Sequence, residues 1–352
     1  MSSIAITATD DFTEHGSRLY DVSAGVFQMK VCSELFHPVH DPDIQRALFK
    51  RFVRRVVIET SAYCNRRCVF CPNADGNRLV NKRELPREDF EAIIDDLAEI
   101  GFTGPVLFHL YNEPLANPDI FDQIAYARKR LPESVLSFNS NGDYIRKDTI
   151  RRLLEAGLTT LNVSIYGPAH GRFERDYVAE RVAEMAETCG LPKRFRWVSD
   201  IDCRAVGNAE HEGRNMRIFI QARDLNRMGY DRGGMIEFAD QELPVRMTPC
   251  IAPFDEVLVT WNGVAVPCCN IIGDKAEHAP YTAGKVSGKG SIFAVYAAGP
   301  LVKWRRSMLL FAKHGGPCAH CTRIMEPIAE LGPEHHSFNA AAQELLSASA
   351  VA

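Results

Sequence analysis

From about residue 52 the chain alternates short apolar runs with amphipathic stretches, and that alternation predicts most of its regular structure. Val56–Ser61 (VVIETS) reads as a strand that runs out into a loop. Arg87–Ile100 carries apolar residues at helical spacing, with Gly101 placed to end it. Val106–Tyr111 (VLFHLY), Val135–Phe138 (VLSF), Leu161–Tyr166 (LNVSIY) and Arg217–Ala222 (RIFIQA) read as further strands. Between them, Pro118–Arg130, Lys147–Ala156 (stopped by Gly157) and Arg175–Thr188 read as helices. Strand and helix in regular turn imply βα units with a parallel sheet, closed into a barrel or doubly wound. Polar residues cluster just after the strand ends, as on the active face of a barrel, and no GxGxxG fingerprint supports a dinucleotide-binding sheet. A partial or full barrel is favoured.

After about residue 240 the pattern changes. Val257–Thr260 and Val264–Pro267 flank Trp261-Asn262-Gly263, and Asn-Gly between β-rich runs predicts a hairpin. Residues 273–290 read as loop, and Ser291–His314 as helix in two halves interrupted near Gly299-Pro300. From Pro333 the periodicity is lost and a mobile tail is expected. The expected division is a 1–51 extension, a 52–240 core, a 241–332 C-terminal domain and a 333–352 tail. There is no internal repeat.

Composition narrows the function classes. At 352 residues the chain can bury a sizeable core without staples, and 46% hydrophobic with 24% charged residues is ordinary for a globular protein. A formal charge of −4 gives no electrostatic reason to expect nucleic acid or an anionic membrane as partner. No apolar run reaches the ~18 residues of a membrane span, and the first residues lack a signal-peptide pattern. A cytoplasmic location is expected, and a disulfide framework is therefore not.

Eleven cysteines then need another explanation, and eight of them fall in two groups. Cys32, Cys189 and Cys203 stand alone and read as small buried hydrophobes. Cys64, Cys68 and Cys71 have the spacing CxxxCxxC. Three thiolates on one loop can hold three corners of a cubane and leave the fourth iron open for a ligand; a zinc loop with a distant fourth ligand is the alternative. In the second group, Cys250 precedes Gly263 by twelve intervening residues, Cys268 follows after four more with Cys269 beside it, and Cys318-Ala-His-Cys321 lies fifty positions on from Cys268. The Asn-Gly turn falls inside the first interval, so a hairpin would bring Cys250 and Cys268 together, with the CxxC supplying two more ligands. Four cysteines in two pairs also suit structural zinc.

The CxxxCxxC loop after the first strand, with Phe70 before its third cysteine, resembles the radical S-adenosylmethionine (SAM) superfamily. The resemblance continues over roughly residues 52–240. Tyr111-Asn112-Glu113-Pro114 looks like the family's variable G-G-E-P segment, with Asn in place of glycine, and the resemblance implies that it binds the methionyl amino group. Asn139, Ser140 and Asn141 lie where the family contacts the ribose; Ser164 and Arg175 resemble its ribose- and carboxylate-contacting positions. What this implies is a SAM-binding [4Fe–4S] cluster on Cys64, Cys68 and Cys71 that delivers an electron to SAM. The 5′-deoxyadenosyl radical so formed then removes hydrogen from an unactivated C–H bond.

The second group resembles the C-x(9–15)-G-x4-C element of SPASM and twitch extensions. No cysteine follows Cys321, so a two-cluster SPASM domain is excluded by count and a twitch domain with one auxiliary [4Fe–4S] cluster is implied. The implied architecture is an α/β partial (β/α)6 TIM-like radical SAM barrel with a C-terminal twitch domain of β-hairpin plus helix. The cysteine layout resembles that of the 2-deoxy-scyllo-inosamine dehydrogenase-like twitch enzymes. This implies dehydrogenation of a carbohydrate-like or aminocyclitol small molecule in natural-product biosynthesis, fed by a flavodoxin or ferredoxin-type reductant. The alternatives are an epimerase with Cys269 as hydrogen donor, a decarboxylase or dehydratase, a maturase of ribosomal peptides, and a non-enzymatic zinc-stabilised binding module.

Overall fold

The computed structural model of the protein describes residues 3–8, 20–21, 26–75, 77–168, 173–228, 231–237, 243–323 and 328–348. In chain order its elements begin with β1 (Ser3–Ala8), β2 (Tyr20–Asp21), β3 (Val26–Val31), α1 (Pro42–Phe52) and β4 (Arg55–Ile58). Next come α2 (Arg87–Glu99), β5 (Val106–Leu107), α3 (Ile120–Arg130), β6 (Leu136–Ser140), α4 (Lys147–Ala156), β7 (Thr160–Ser164) and α5 (Arg175–Thr188). They are followed by β8 (Arg196–Ser199), β9 (Asp202–His211), β10 (Arg214–Arg223), α6 (Leu225–Met228), α7 (Ala252–Asp255), β11 (Glu256–Val259) and β12 (Val264–Val266). The series ends with β13 (Gly284–Lys285), α8 (Ser291–Ala297), α9 (Gly299–Met308) and α10 (Pro333–Ala348).

Contacts divide the chain into two units. One comprises Val56–Gly229 with Thr260–Asn262; the other comprises Met1–Arg55, Tyr230–Val259 and Gly263–Ala352. In the first, β4, β5, β6, β7 and β10 pair in that order and all run parallel. The βα alternation read from the sequence is realised with its helices at the expected positions. Two additions were not foreseen: β9 and β8 extend the sheet antiparallel beyond β10. Glu212-Gly213 makes the β9–β10 hairpin with both residues at positive φ (49° and 76°), the geometry that two-residue hairpins favour.

Register along the sheet separates its two faces. Phe138, Leu161 and Ile218 lie on one face and are fully buried. On the other, Asn139 stands opposite Asn162 and Asn162 opposite Phe219, with Ser164 opposite Gln221 one step on. Apart from Phe219 this row is polar, and all of it is only half-buried or exposed. Because side chains alternate along a strand, Ser137 and Asn139, Thr160, Asn162 and Ser164, and Arg217 and Gln221 fall on one face, while Ser140 falls on the face of Phe138 and is buried. β4 and β5 are shorter than expected, since beyond Ile58 and Leu107 the backbone leaves the ladder to build the site described below.

In the other unit β11 and β12 form the expected hairpin, and β13 adds a strand within the stretch expected to be loop. Gly263 turns at φ 72°, and a Cβ there would meet the Val286 carbonyl oxygen at 2.9 Å. Residues 29–52 contribute to the core of this unit. Phe49 of α1 packs edge-on against Phe293 and Tyr296 of α8, with centroids 5.1 and 5.5 Å away. The fully buried Arg305 donates to the carbonyls of Pro253 (3.0 Å) and Leu35 (3.3 Å). The expected mobile tail is corrected as well: residues 333–348 form α10. Phe338 and Ala342, four residues apart on one face, are buried, and the Asn339 amide brackets the Phe311 backbone in both directions (2.9 and 2.7 Å). Among the described residues no helix is long and apolar enough to cross a membrane.

Candidate active site and metal centres

Cys64, Cys68 and Cys71 occupy the loop after β4 and lie within electrostatic reach of one another. The Cys71 N–H donates to the Cys68 carbonyl (3.0 Å) and Ala74 N–H to that of Cys71 (2.9 Å), a tight turn that gathers the last two thiols. Burial pushes the Cys64 thiol up to about 11 and the Cys68 thiol up to about 12, so both are protonated until a metal displaces the proton. Phe70 is buried against Tyr166 at 5.1 Å between centroids, and the Arg66 guanidinium lies 5.7 Å from the same ring.

Two polar clamps hold the loop. Asp143, just past β6, accepts from Arg66 Nε (2.7 Å) and Nη2 (2.5 Å) and from the Asn65 amide (2.8 Å). Burial alone would raise the Asp143 carboxyl, but the Arg66 guanidinium outweighs it and holds the group below the usual range. The second clamp is the buried pair Glu59–Arg78. Glu59 also accepts from the backbone N–H groups of Tyr111 (2.9 Å) and Trp261 (3.3 Å), while Arg78 reaches the Ala62 carbonyl (3.3 Å). None of Glu59, Asn65, Arg66, Arg78 and Asp143 was a candidate from the sequence. Their polarity reads as that of an ordinary loop, and the available signal was that Asn65 and Arg66 lie within the cysteine loop and Glu59 and Arg78 on either side of it.

Glu113 joins the G-E-P-like segment to the ribose-like one. It is 1% exposed, and its carboxylate accepts from Asn141 N–H (2.7 Å), Ser140 Oγ (2.9 Å) and Leu115 N–H (3.1 Å). Its own N–H donates to the Tyr63 carbonyl beside Cys64 (2.9 Å). Asn141 closes the circuit by donating to Asn65 Oδ1 (2.7 Å). Burial pushes the Glu113 carboxyl up to about 7, against those three hydrogen bonds. Asn112, where the family pattern has glycine, is bound into the fold: its Oδ1 accepts from Leu110 N–H (3.1 Å) and its amide reaches Ser61 Oγ (3.4 Å). Pro114 starts the short turn that presents Glu113.

The structure thus brings Phe70, Asn112, Glu113, Pro114, Ser140 and Asn141 around the cysteine loop. Asn139 and Ser164 lie instead on the polar sheet face, where Ser164 also engages the Tyr166 hydroxyl. Arg175 is committed elsewhere: its guanidinium lies 3.8 Å from the Trp197 ring centroid and donates to the Asp200 carbonyl (2.9 Å). Asn162 and Gln221, on the same face as Ser164, went unrecognised because they sit inside strands that read as apolar.

The second thiol group gathers in the other unit. Cys250, Cys268, Cys318 and Cys321 influence one another electrostatically, and burial raises the thiols of Cys250, Cys268 and Cys318. Arg246, 3% exposed, ties the group's two ends together. Its guanidinium donates to the Thr248 carbonyl (2.9 Å) on the Cys250 side and to those of Cys321 (3.0 Å) and Arg323 (2.9 Å) on the CxxC side. The Asn270 amide lies 3.3 Å from Cys321 Sγ. Arg323 pairs with the buried Glu256 (2.9 Å) and lies within electrostatic reach of Cys268 and of half-buried Cys269. The three solitary cysteines, Cys32, Cys189 and Cys203, are buried.

The donor sets fit iron–sulfur clusters. Among the described residues no three cysteine, histidine or acidic side chains close around the point a single metal ion would occupy. A cubane asks for a wider arrangement, one thiolate on each liganded iron at its corners. As cubane ligands, three thiols in the first group would leave one iron for an outside ligand; four in the second would leave none.

Residues 58–189 match the family model of the radical SAM superfamily. The S-adenosyl-L-methionine-dependent 2-deoxy-scyllo-inosamine dehydrogenase of Niallia circulans is 24% identical over 215 residues, 60% of this chain and 72% of that protein. The Fe-coproporphyrin III synthase of Methanosarcina barkeri is 35% identical over 112 residues, 32% of this chain and 27% of that protein. The crystal structure of BtrN in complex with AdoMet and 2-DOIA matches with a TM-score of 0.55 at 19% identity, covering 80% of this chain and 97% of that one, a likeness of fold. Family model and cysteine loop agree: residues 58–189 form a radical SAM domain, of a superfamily whose members use S-adenosylmethionine with a [4Fe–4S] cluster.

Proposed function

We propose that the chain dehydrogenates a polar, hydroxyl-bearing small molecule of carbohydrate-like or aminocyclitol kind, with an auxiliary cluster on Cys250, Cys268, Cys318 and Cys321 accepting an electron. The observation that carries this reading is the closed four-thiol set in a chain whose first set is open. A cluster with every iron liganded by protein suits electron transfer rather than substrate binding. The similarity to 2-deoxy-scyllo-inosamine dehydrogenase supports the reaction class. Bound SAM supplies, on one-electron reduction, a 5′-deoxyadenosyl radical able to take a hydrogen atom from carbon.

The chain's own residues supply orientation. Cys64, Cys68 and Cys71 hold the open cluster, and Glu113, fixed by Asn141 and Ser140, offers a carboxylate to the methionyl ammonium. Asn139, Asn162, Ser164 and Gln221 present amides and a hydroxyl on the half-exposed sheet face, chemistry matched to a polyol. After hydrogen abstraction the hydroxyl carbon loses one more electron and the hydroxyl its proton, which gives a ketone. A flavodoxin or ferredoxin-type protein is the reductant this scheme calls for.

A second reading keeps Cys269. Its thiol is half-buried beside a cluster ligand, and a hydrogen atom donated from it would yield an epimer.

The test is anaerobic reconstitution, then incubation with dithionite, SAM and a panel of aminocyclitols and sugars. The expected product has lost two hydrogen atoms and forms with one 5′-deoxyadenosine. The Cys318→Ala/Cys321→Ala variant keeps nucleoside formation and loses the ketone. A product isomeric with substrate, carrying solvent deuterium and abolished by Cys269→Ala, would establish the epimerase instead. Zinc in place of iron would return the chain to a binding module.

A further inference from the structure

A cavity of about 590 Å3 opens in the C-terminal unit against α9 and the loop that leads to Cys318. Its walls are largely apolar and aromatic. Tyr281 and Trp304 stand 6.2 Å apart at 59°, and the indole N–H is already satisfied by the Tyr281 carbonyl (3.1 Å). Lys303 is exposed at the edge, and no carboxylate occurs among the described residues that line the cavity. Cys318, a thiol of the second group, forms part of the wall.

One buried polar atom in this wall has no partner among the described residues. His314 is 8% exposed, and its Nε2 is buried without a hydrogen bond. Burial and the Arg246 guanidinium hold the imidazole below its ordinary range, and in the neutral ring with its proton on Nδ1 the unpartnered Nε2 is an acceptor. A buried acceptor left unsatisfied is costly, so an aromatic cavity carrying one is suited to a flat ligand that brings its own donor.

We propose that this cavity binds a flavin nucleotide, its tricyclic ring against Trp304 and Tyr281, a ring N–H on His314 Nε2 and its phosphate at Lys303. The chemistry selects this class. Dehydrogenation leaves one electron on the auxiliary cluster in each turnover, so a ligand touching Cys318 is useful if it takes electrons singly. A flavin does so, accepting one electron and one proton in each of two turnovers. An oxidised quinone has no N–H or O–H for His314, and an adenine base takes no electrons. The electron-accepting role rests on the dehydrogenation reading; the binding does not.

The experiment is anaerobic calorimetry and flavin-fluorescence titration of the reconstituted enzyme with FMN and with riboflavin. Saturable binding is expected, with flavin emission quenched and riboflavin weaker than FMN. His314→Leu should weaken FMN about ten-fold, the loss of one buried hydrogen bond, with iron content unchanged. His314→Gln should restore part of it. Lys303→Ala should remove the difference between FMN and riboflavin while leaving riboflavin affinity alone. Absence of saturable binding overturns the site, as does FMN affinity equal in wild type, His314→Leu and Lys303→Ala. Binding that follows both residues without flavin reduction during turnover keeps the site and overturns its electron-accepting role.

Discussion

Glu59 and Arg78 face each other with almost no exposure to solvent (0% and 3%), the guanidinium donating to the carboxylate at 2.5 Å. Nineteen residues separate them. Between them in sequence lies the whole CxxxCxxC loop, so the pair closes the base of the loop that carries the first three thiols. Glu59 also holds the Tyr111 N–H, which fixes the start of the Asn112-Glu113-Pro114 turn from the same carboxylate.

Breaking that pair should be expensive. Removing one partner leaves a buried charge uncompensated, at about 3–5 kcal/mol. Arg78→Met is expected to lower urea-unfolding stability by that amount and to abolish 5′-deoxyadenosine formation. Glu59→Leu/Arg78→Met should recover most of the stability without the activity. Wild-type stability in Arg78→Met would show that the pair does not support the loop.

The Asp143 clamp acts on the loop from its other side and is more exposed, so its removal should spare the fold. Partners that orient metal ligands are worth about 10–100-fold in metal affinity or activity. Asp143→Ala is expected to lose the first cluster's iron to a chelator that much faster, with the melting temperature little changed. Equal iron loss from wild type and variant would remove the clamp from the cofactor site.

Arg246 should do the same for the second centre alone. Its guanidinium joins the Thr248 carbonyl to those of Cys321 and Arg323, a fork that a lysine ammonium does not reproduce. Both Arg246→Met and Arg246→Lys are expected to retain about four irons of about eight, keep nucleoside formation and lose oxidised product. Full iron content in Arg246→Lys would show that geometry at this residue is not required.

Glu113 predicts a pH dependence. The unfolded carboxyl loses its proton near 4.5, whereas burial holds it in the fold until about 7. Between those values the folded chain binds more protons, so stability falls as pH rises from about 4.5 to about 7 and levels off above. The change is on the order of 3 kcal/mol in the absence of SAM. Glu113→Gln should flatten that part of the curve, and SAM binding to wild type should tighten as pH rises through about 7. An identical slope in Glu113→Gln would assign the dependence to other groups.

Much of the candidate site could be read in linear order because cluster ligation compresses chemistry into spacing. CxxxCxxC, Glu113-Pro114 and Cys318-Ala-His-Cys321 each lie on one short turn, where local backbone geometry decides what the side chains can hold. The β9–β10 hairpin had a readable signal in His211-Glu212-Gly213-Arg214 that the alternation of strand and helix overshadowed. Arg175 was misleading for the opposite reason. A long cation at a helix start has many partners within reach, and here the Trp197 ring and the Asp200 carbonyl provide them.

The sequence alone determined the order of βα units and the two groups of thiols. Both follow from periodicity and from counting residues of one kind. Only the tertiary structure decided which charges are buried together, which polar strand residues share a face, and that residues 333–348 pack as a helix. Those depend on register between strands and on desolvation. Arg246 is one arginine among many in the sequence; four backbone carbonyls from two distant segments, converging where water is excluded, give it its position between the thiols.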